Sequence, residues 1–398
     1  MPPIPLAQLA GGVPASVGEA ENLFGLDRDG LRAQFSALGQ APWRADQVMQ
    51  WIYRRGVDDF DAMTNLGKSL RTELAGHFRI HLPQCIAGQR SADGTRKWVL
   101  QLEARDGRPP AAIETVYIPE DGRGTLCISS QAGCAMDCSF CSTAQGGFSR
   151  NLTTAEIIAQ VWFAAKTLAA SPVAEPAARG RQPLLREGEV ISNVVFMGMG
   201  EPLANYANVL TALRILLDDF GFGLSKRRVT VSTSGLVPFI DRLSVDVDTA
   251  LAISLHAPDD ALRDQLVPLN RKYPIAELMA ACRRYVAGKD RKTHIVYEYV
   301  MLDGVNDQPE RASQLARLLG DMPAKINLIP FNPFPGTHYR RSPPDVIARF
   351  VDILHRKGIV ATTRRTRGDD IDAACGQLVG RIKSRQKHRL GDLAVKAS

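Results

Sequence analysis

The sequence predicts an α/β fold: a partial (β/α)6 barrel core with a small N-terminal helical accessory domain. Three observations predict it. From about residue 124, short β-branched runs alternate six times with longer amphipathic stretches, which calls for parallel strands joined by right-handed crossovers. Residues 28–79 instead show helical spacing alone. The polar and glycine-rich clusters fall repeatedly at the C-terminal ends of the expected strands, where barrel-like folds gather functional groups.

Residues 1–22 are rich in Pro, Gly and Ala and read as a disordered extension. The accessory domain spans 23–85. Its apolar stripes are Leu31, Phe35 and Leu38, then Val48 and Ile52, then Leu66, Leu70 and Leu74, punctuated by Gly30, Gly56 and Gly67. A strand-rich link covers 86–120, where Trp98, Leu100 and Leu102 alternate and residues 113–118, Glu114 apart, are β-branched or aromatic. The core spans 121–378. Its strands are expected at 124–129, 192–197, 228–233, 250–255, 294–301 and 325–330. Its helices are expected at 154–170, 206–219, 236–244, 274–287, 308–320 and 344–357, with Thr153 or Thr154 capping the first and Gly358 ending the last. Residues 171–190 are too Pro-rich and irregular for either element and read as an inserted surface loop. A basic tail, 379–398, sets Arg381, Lys383, Arg385, Lys387, Arg389 and Lys396 against Asp392; it reads equally as a phosphate grip or a solvated helix end.

Composition narrows the setting. The 398 residues are 45% hydrophobic, enough for a sizeable core, and the net charge of +7 suits a polyanionic partner without demanding one. Seven cysteines, an odd number with three clustered, argue against a secreted disulfide framework and for a reducing compartment. Met1 to Gly30 lacks a basic segment followed by an apolar run, and no apolar run approaches the roughly 20 residues that span a bilayer. The expectation is a cytoplasmic protein with no membrane contact.

The chemistry begins at Cys134-Ala-Met-Asp-Cys138-Ser-Phe-Cys141. Three thiolates hold a four-iron cluster while leaving one iron open to a substrate. A structural zinc site wants four closed ligands, and the sole adjacent candidate is Cys127. Further along, Gly198-Met-Gly200-Glu201-Pro202 follows the second expected strand, Ser232-Thr-Ser-Gly235 ends the third, Ser254-Leu255-His256 the fourth, and Asn332 follows the sixth. Glycine lets backbone approach a ligand closely, and Glu201 is suited to accept from an ammonium group. Taken alone, Gly-Met-Gly-Glu-Pro means a turn and His256 a satisfied core histidine. Glu114 is an acid on an apolar strand, either on its solvated face or a tuned base. Cys375 reads as a small buried hydrophobe or as a thiol activated by Arg364 and Arg367; Cys85 and Cys282 read as small buried hydrophobes.

The cysteine spacing, with Phe140 before the third cysteine, resembles the radical S-adenosylmethionine (SAM) superfamily. The resemblance sharpens over Glu114-Thr-Val-Tyr-Ile-Pro, Cys127-Ile-Ser-Ser-Gln-Ala-Gly-Cys134, Cys138-Ser-Phe-Cys141, Gly198-Met-Gly-Glu-Pro202, Ser254-Leu-His-Ala-Pro258, Asn332-Pro-Phe-Pro-Gly336 and the stretch from Thr366 to Cys375. In order and spacing, these resemble the RlmN/Cfr family of radical SAM RNA methyltransferases from about residue 28 to 390. The resemblance implies a radical SAM core holding a [4Fe-4S] cluster on Cys134, Cys138 and Cys141. It implies SAM contacts at Gly200, Glu201, Ser232, Ser254, Leu255, His256 and Asn332, and two SAM per turnover. It implies that Cys375 is methylated first, that Glu114 takes the ring proton of adenine, and that Cys127 resolves a covalent protein–RNA adduct through a transient disulfide with Cys375. It further implies methylation of adenine C2 in 23S rRNA near the peptidyl transferase centre and in tRNA next to the anticodon, a reductant such as flavodoxin, and a monomer. The alternative is the branch that methylates adenine C8.

Overall fold

Ten strands form one sheet in the computed structural model, which describes residues 20–105, 107–170, 191–287, 289–290, 293–371, 373 and 378. The expected N-terminal extension up to residue 19, the 171–190 insertion and the basic tail lie outside the described residues. Before the sheet, β1 (Glu21–Asn22) pairs in parallel with β2 (Phe78–Arg79), and α1 (Arg28–Ala37), α2 (Trp43–Met49) and α3 (Lys68–His77) lie between them in the chain. Asp27 caps α1 by accepting from Gly30 N–H at 2.9 Å, and the Leu31/Phe35 stripe is buried. The Leu66, Leu70 and Leu74 stripe is buried too.

The chain then builds an antiparallel run: β3 (Gln84–Arg90), β4 (Arg96–Leu102), β5 (Ala111–Glu120) and β6 (Arg123–Cys127). A two-stranded ribbon of β7 (Gln131–Gly133) and β8 (Phe148–Asn151) flanks the short α4 (Ser142–Gln145). From β6 onward the sheet is parallel: α5 (Thr154–Ala169), β9 (Asn193–Phe196), α6 (Tyr206–Leu217), β10 (Val229–Thr233), α7 (Val237–Asp246) and β11 (Ala250–Ser254). Then come α8 (Asp260–Leu266), α9 (Ile275–Ala287), β12 (Ile295–Met301), α10 (Pro309–Leu319), β13 (Ala324–Pro330), α11 (Pro344–Arg356) and β14 (Val360–Thr363). The strand order is β14-β13-β12-β11-β10-β9-β6-β5-β4-β3, an open partial barrel extended on one side by antiparallel strands.

All six expected core strands and six expected helices form, each within two residues of its expected ends. Thr153 is the residue that caps α5, in a capping box with Glu156. Helix α8, the ribbon and the seventh parallel strand, β14, were not expected; each is too short to show a period. Cys85, expected to be buried, is exposed, because β3 is an edge strand whose seven residues are all exposed. Cys282 is buried as expected.

Strand alternation gives the sheet two unlike faces. Thr115 donates to Gln160 of α5 at 2.8 Å and Trp98 packs edge-on against Phe163 of α5, so that face lies under the helices. Leu126, Val194, Val231, Leu251, Ile253, Tyr297 and Leu328 continue this outer face, and all are buried. Each fully buried aliphatic side chain there contributes roughly 1.5–3 kcal/mol. The inner face follows from the register. Val116 pairs with Cys127, Cys127 with Val195, Val195 with Thr230, Ser232 with Ala252, Ser254 with Glu298, and Glu298 with Asn327.

Candidate active site

The three clustered cysteines sit in the loop between β7 and α4. Gly133, at φ +79°, turns the chain so that a Cβ there would overlap the Gly147 carbonyl, and Cys134 N–H donates to that carbonyl at 2.9 Å. Ser139 N–H donates to Leu266 O at the end of α8, and the Ser139 and Tyr339 hydroxyls meet at 2.9 Å. Ala135, Met136, Leu262, Leu266, Val300 and Phe331 form a second apolar cluster, with Cys134, Cys138 and Phe140 packed against it.

The three cysteine residues are half-buried, and their sulfurs are crowded by protein atoms. Burial pushes all three thiols up; repulsion from Cys141 adds to this at Cys134 and Cys138, while Arg263 opposes it at Cys138. Three neighbouring thiolates therefore need a cationic centre to neutralise them, as cluster iron does. Among the described residues, no group of three or more His, Cys, Asp or Glu side chains could hold a single metal ion. In a cluster each thiolate takes its own iron. The donor set of three thiols, one apolar shell and one nearby cation fits that group.

The Gly198–Pro202 loop is stitched to the chain leading into the cysteines. Gly198 N–H donates to Ile128 O, Ser130 N–H to Met199 O, and Met199 N–H to Ser129 Oγ. Gly200 has φ +99°, and a Cβ there would overlap the Gln131 side chain, so this position requires glycine. Glu201 N–H donates to Gln131 Oε1 at 2.9 Å. The Glu201 carboxylate is buried and accepts from Leu203 N–H, Ser234 N–H and Ser234 Oγ at 2.8–3.0 Å. Burial raises its pKa, and the Ser234 bonds oppose that. It lies close enough to Cys134 and Cys138 for its charge to act on both.

Ser232 is buried on β10; Ser254 is half-buried at the end of β11, with Leu255 and His256 buried just beyond. His256 adopts φ +60°, rare for a residue with a Cβ. Four bonds hold it there: Leu255 and His256 N–H to Glu298 O, Asn306 Nδ2 to His256 O, and Val300 N–H to His256 Nδ1. Burial, helped by Arg263, pushes its pKa down to about 3, so the ring is neutral with its proton on Nε2. Its ring meets Phe140 edge-on at 4.6 Å, joining the fourth strand end to the cysteine loop. Asn332 is buried, and Arg341 fixes its Oδ1 at 2.6 Å.

Glu114 and Cys127 share the inner face on adjacent strands, since Val116 pairs with Cys127 and Glu114 lies two residues before it. Glu114 is buried, not on a solvated face, and Lys97 Nζ lies 3.6 Å from its Oε2. Cys127 is buried. Cys375 lies outside the described residues. On either side of it, Gly368 N–H donates to Asp93 at 3.1 Å, and Leu378 O accepts from Thr143, two residues past Cys141.

Several residues that assemble this site escaped the sequence reading. Asn205 Nδ2 bridges Ser130 O and Leu152 O, Gln131 holds Glu201, and Arg263 spans two strand ends. The bridge made by Asn205 joins it to residues 75 and 53 positions away, so no local spacing announces it.

An open parallel sheet, with three thiols on the loop after its first parallel strand and polar strand ends gathered around them, defines a radical SAM enzyme. Comparison with known proteins agrees. Residues 21–80 match the ribosomal RNA large subunit methyltransferase N-terminal domain, and residues 184–316 match the radical SAM superfamily. The chain is 54% identical over 368 residues to the dual-specificity RNA methyltransferase RlmN of Alkalilimnicola ehrlichii, covering 92% of this chain and 96% of that one. The crystal structure of a radical SAM methyltransferase from Sphaerobacter thermophilus superposes with a TM-score of 0.79 at 44% identity, over 90% of this chain and 99% of that one. The chain belongs to the RlmN family of radical SAM RNA methyltransferases.

Proposed function

We propose that this enzyme methylates C2 of adenine in 23S rRNA, near the peptidyl transferase centre, and in tRNA, at the adenine next to the anticodon. The observation that carries this reading is the placement of Glu114 and Cys127 on the same inner face of adjacent strands, with Val116 paired to Cys127, beside the chain that leads to Cys134. RNA binding or structural cluster storage needs neither residue. The relative's description as a dual-specificity RNA methyltransferase supports two RNA substrates.

C2 of adenine is an electron-poor carbon and does not attack the sulfonium methyl of SAM. The carbon must instead arrive on a protein sulfur, for which Cys375 is the candidate. Bound at Cys134, Cys138 and Cys141, a [4Fe-4S] cluster with SAM supplies a radical able to take hydrogen from an S-methyl group, and the cycle consumes two SAM. Gly200, Glu201, Ser232, Ser254, Leu255, His256 and Asn332 are the SAM contacts in this reading. Their support is the convergence of Glu201, Ser234 and the Ser254–His256 corner around the cysteine loop. The S-methylene radical so left on Cys375 would add to C2, and Glu114, ion-paired with Lys97, is the base that takes the C2 proton as the adduct gives its unpaired electron back to the cluster. The Cys127 thiolate then attacks the Cys375 sulfur; the S–CH2 bond breaks, its electron pair takes up a proton to complete the methyl group, and a Cys127–Cys375 disulfide is left for thiol exchange to reopen. A reductant such as flavodoxin is the electron donor in this reading. The enzyme acts as a monomer in the cytoplasm in this reading. Among the described residues, no helix is long and apolar enough to cross a membrane.

The test is anaerobic turnover of the cluster-reconstituted protein with methyl-labelled SAM on ribosomal RNA and on tRNA, reading the nucleoside by mass spectrometry. 2-Methyladenosine is the expected product. 8-Methyladenosine moves the enzyme to the C8 branch, and no product despite an intact cluster and a working reductant overturns the substrate assignment.

A further inference from the structure

Helix α8 places an arginine in the middle of the site. Arg263 is 1% exposed, and its guanidinium makes four hydrogen bonds. Nε donates to Leu255 O at 3.0 Å, Nη2 to Ser254 O at 3.1 Å and Ser234 O at 2.6 Å, and Nη1 to Asn270 Oδ1 at 2.8 Å. The two Nη2 bonds join the chain beyond β10 to the end of β11. Ser234 in turn holds Glu201 beyond β9. Three successive strand ends are thus locked into one frame, and a planar fork with fixed donor directions is what such a frame requires. The same helix ends at Leu266, whose carbonyl accepts from Ser139 in the cysteine loop.

Burying a guanidinium costs several kcal/mol unless charge and hydrogen bonds offset it. Three backbone carbonyls and the Asn270 side chain supply the hydrogen bonds here. The charge sits against the cysteine loop: Leu262 and Leu266, on the same helix, share an apolar cluster with Cys134 and Cys138, and Leu266 O accepts from Ser139 N–H. Desolvation lowers the arginine's pKa only to about 10, so it remains cationic at neutral pH. A fixed positive charge beside a cluster ligand favours the reduced, more negative state of the cluster.

We propose that Arg263 is a positioning residue that braces the SAM-contacting strand ends against the cysteine loop and raises the reduction potential of the cluster bound there. This rests on the reading of Ser254, Leu255 and Glu201 as SAM contacts. Two functions meet in one side chain, and they separate by substitution. Arg263→Lys keeps the charge but loses the fork. Arg263→Gln loses the charge and most of the fork.

The experiment reconstitutes wild type and both variants, verifies cluster content by iron and sulfide analysis, and follows the reduced cluster by EPR. Midpoint potential comes from a redox titration, and SAM affinity from the change SAM makes in the EPR signal. Arg263→Gln is expected to shift the potential to more negative values and weaken SAM binding roughly tenfold or more, the scale of losing charged hydrogen bonds. Arg263→Lys is expected to stay near the wild-type potential and still bind SAM more weakly. A purely structural role moves neither the potential nor the split between the two variants. Wild-type SAM affinity in Arg263→Lys overturns the bracing role even if Arg263→Gln fails to fold, and wild-type potential in a folded Arg263→Gln overturns the electrostatic one. A wild-type cluster whose signal SAM leaves unchanged overturns the SAM-site reading itself.

Discussion

The two faces of one sheet have been built to different specifications. The outer face, under the helices, carries Leu126, Val194, Val231, Leu251, Ile253 and Tyr297, all buried. The inner face of the same strands carries Lys97, Glu114, Cys127, Ser232, Ser254, Glu298 and Asn327. A sheet selected for stability alone would repeat the outer pattern, since an unmatched buried polar group costs about 1–3 kcal/mol. Here the polar groups come in partnerships: Lys97 lies 3.6 Å from Glu114, and Asn327 Nδ2 donates to Glu298 at 3.3 Å. Pairing makes an inner polar layer tolerable, and its chemistry makes it useful. The comparison therefore predicts that inner-face substitutions remove activity with small losses of stability, and outer-face substitutions do the reverse.

The largest effect is expected at Cys127. Cys127→Ala should stop turnover completely and accumulate a covalent protein–RNA species, seen as a shifted band on a denaturing gel that ribonuclease reduces. Stability should change by no more than about 1–2 kcal/mol, as for a small buried side chain. Resolution of the adduct at the wild-type rate would remove Cys127 from the mechanism. Glu114→Gln should come next, lowering single-turnover product formation by roughly 10²–10⁴-fold, the usual worth of a positioned base. Methylation of Cys375, assayed by mass spectrometry of the peptide, should persist in this variant. Loss of both steps would indicate that Glu114 holds the inner face together and does not move a proton.

The same asymmetry explains what the sequence could reveal. Outer-face strands are near-continuous apolar runs and the helices over them are amphipathic, so both leave periodic patterns, and their ends are readable to within two residues. The cysteine triad is equally legible, because its three donors fall within eight residues of chain. The inner face is not legible in this way. A lone acid such as Glu114 looks the same in sequence whether its face is solvated or buried, and only the pairing of Val116 with Cys127 places it on the same face as Cys127. Arg263, between Ala261–Leu262 and Asp264, resembles a solvated helix position, and helix α8 is seven residues long, too short to show a period. Cys85 illustrates the converse: a lone cysteine reads as a small buried hydrophobe, but its place on an edge strand leaves it exposed.

On the outer face, Ile253→Ala should destabilise the fold by roughly 2–5 kcal/mol, because Ile253 is fully buried between β11 and the helices. Denaturant unfolding measures this, and turnover per folded molecule should stay close to wild type. A drop in activity that exceeds the loss of folded protein would mean that the two faces are mechanically coupled, and the division of labour would have to be redrawn.

The smallest effect is a difference in pH response. The outer-face residues named above are apolar apart from Tyr297, so their contribution does not vary with pH in the carboxylate range. Glu298, on the inner face, has its pKa raised above the ordinary 4.5, chiefly by burial, with Arg364 and Asn327 opposing the shift. A carboxyl raised on folding binds its proton more tightly in the native state than in the unfolded chain. Its contribution is therefore complete below the unfolded pKa and is lost as pH rises through the folded one, with a slope of at most ~1.4 kcal/mol per pH unit for one proton. Glu298→Gln should flatten the stability–pH curve above about pH 4.5 in that window, whereas Ile253→Ala should lower the whole curve without changing its shape. An unchanged slope in Glu298→Gln would mean that Arg364 keeps the carboxylate ionised throughout, and that the inner face is held by an ion pair where burial alone argues for a proton.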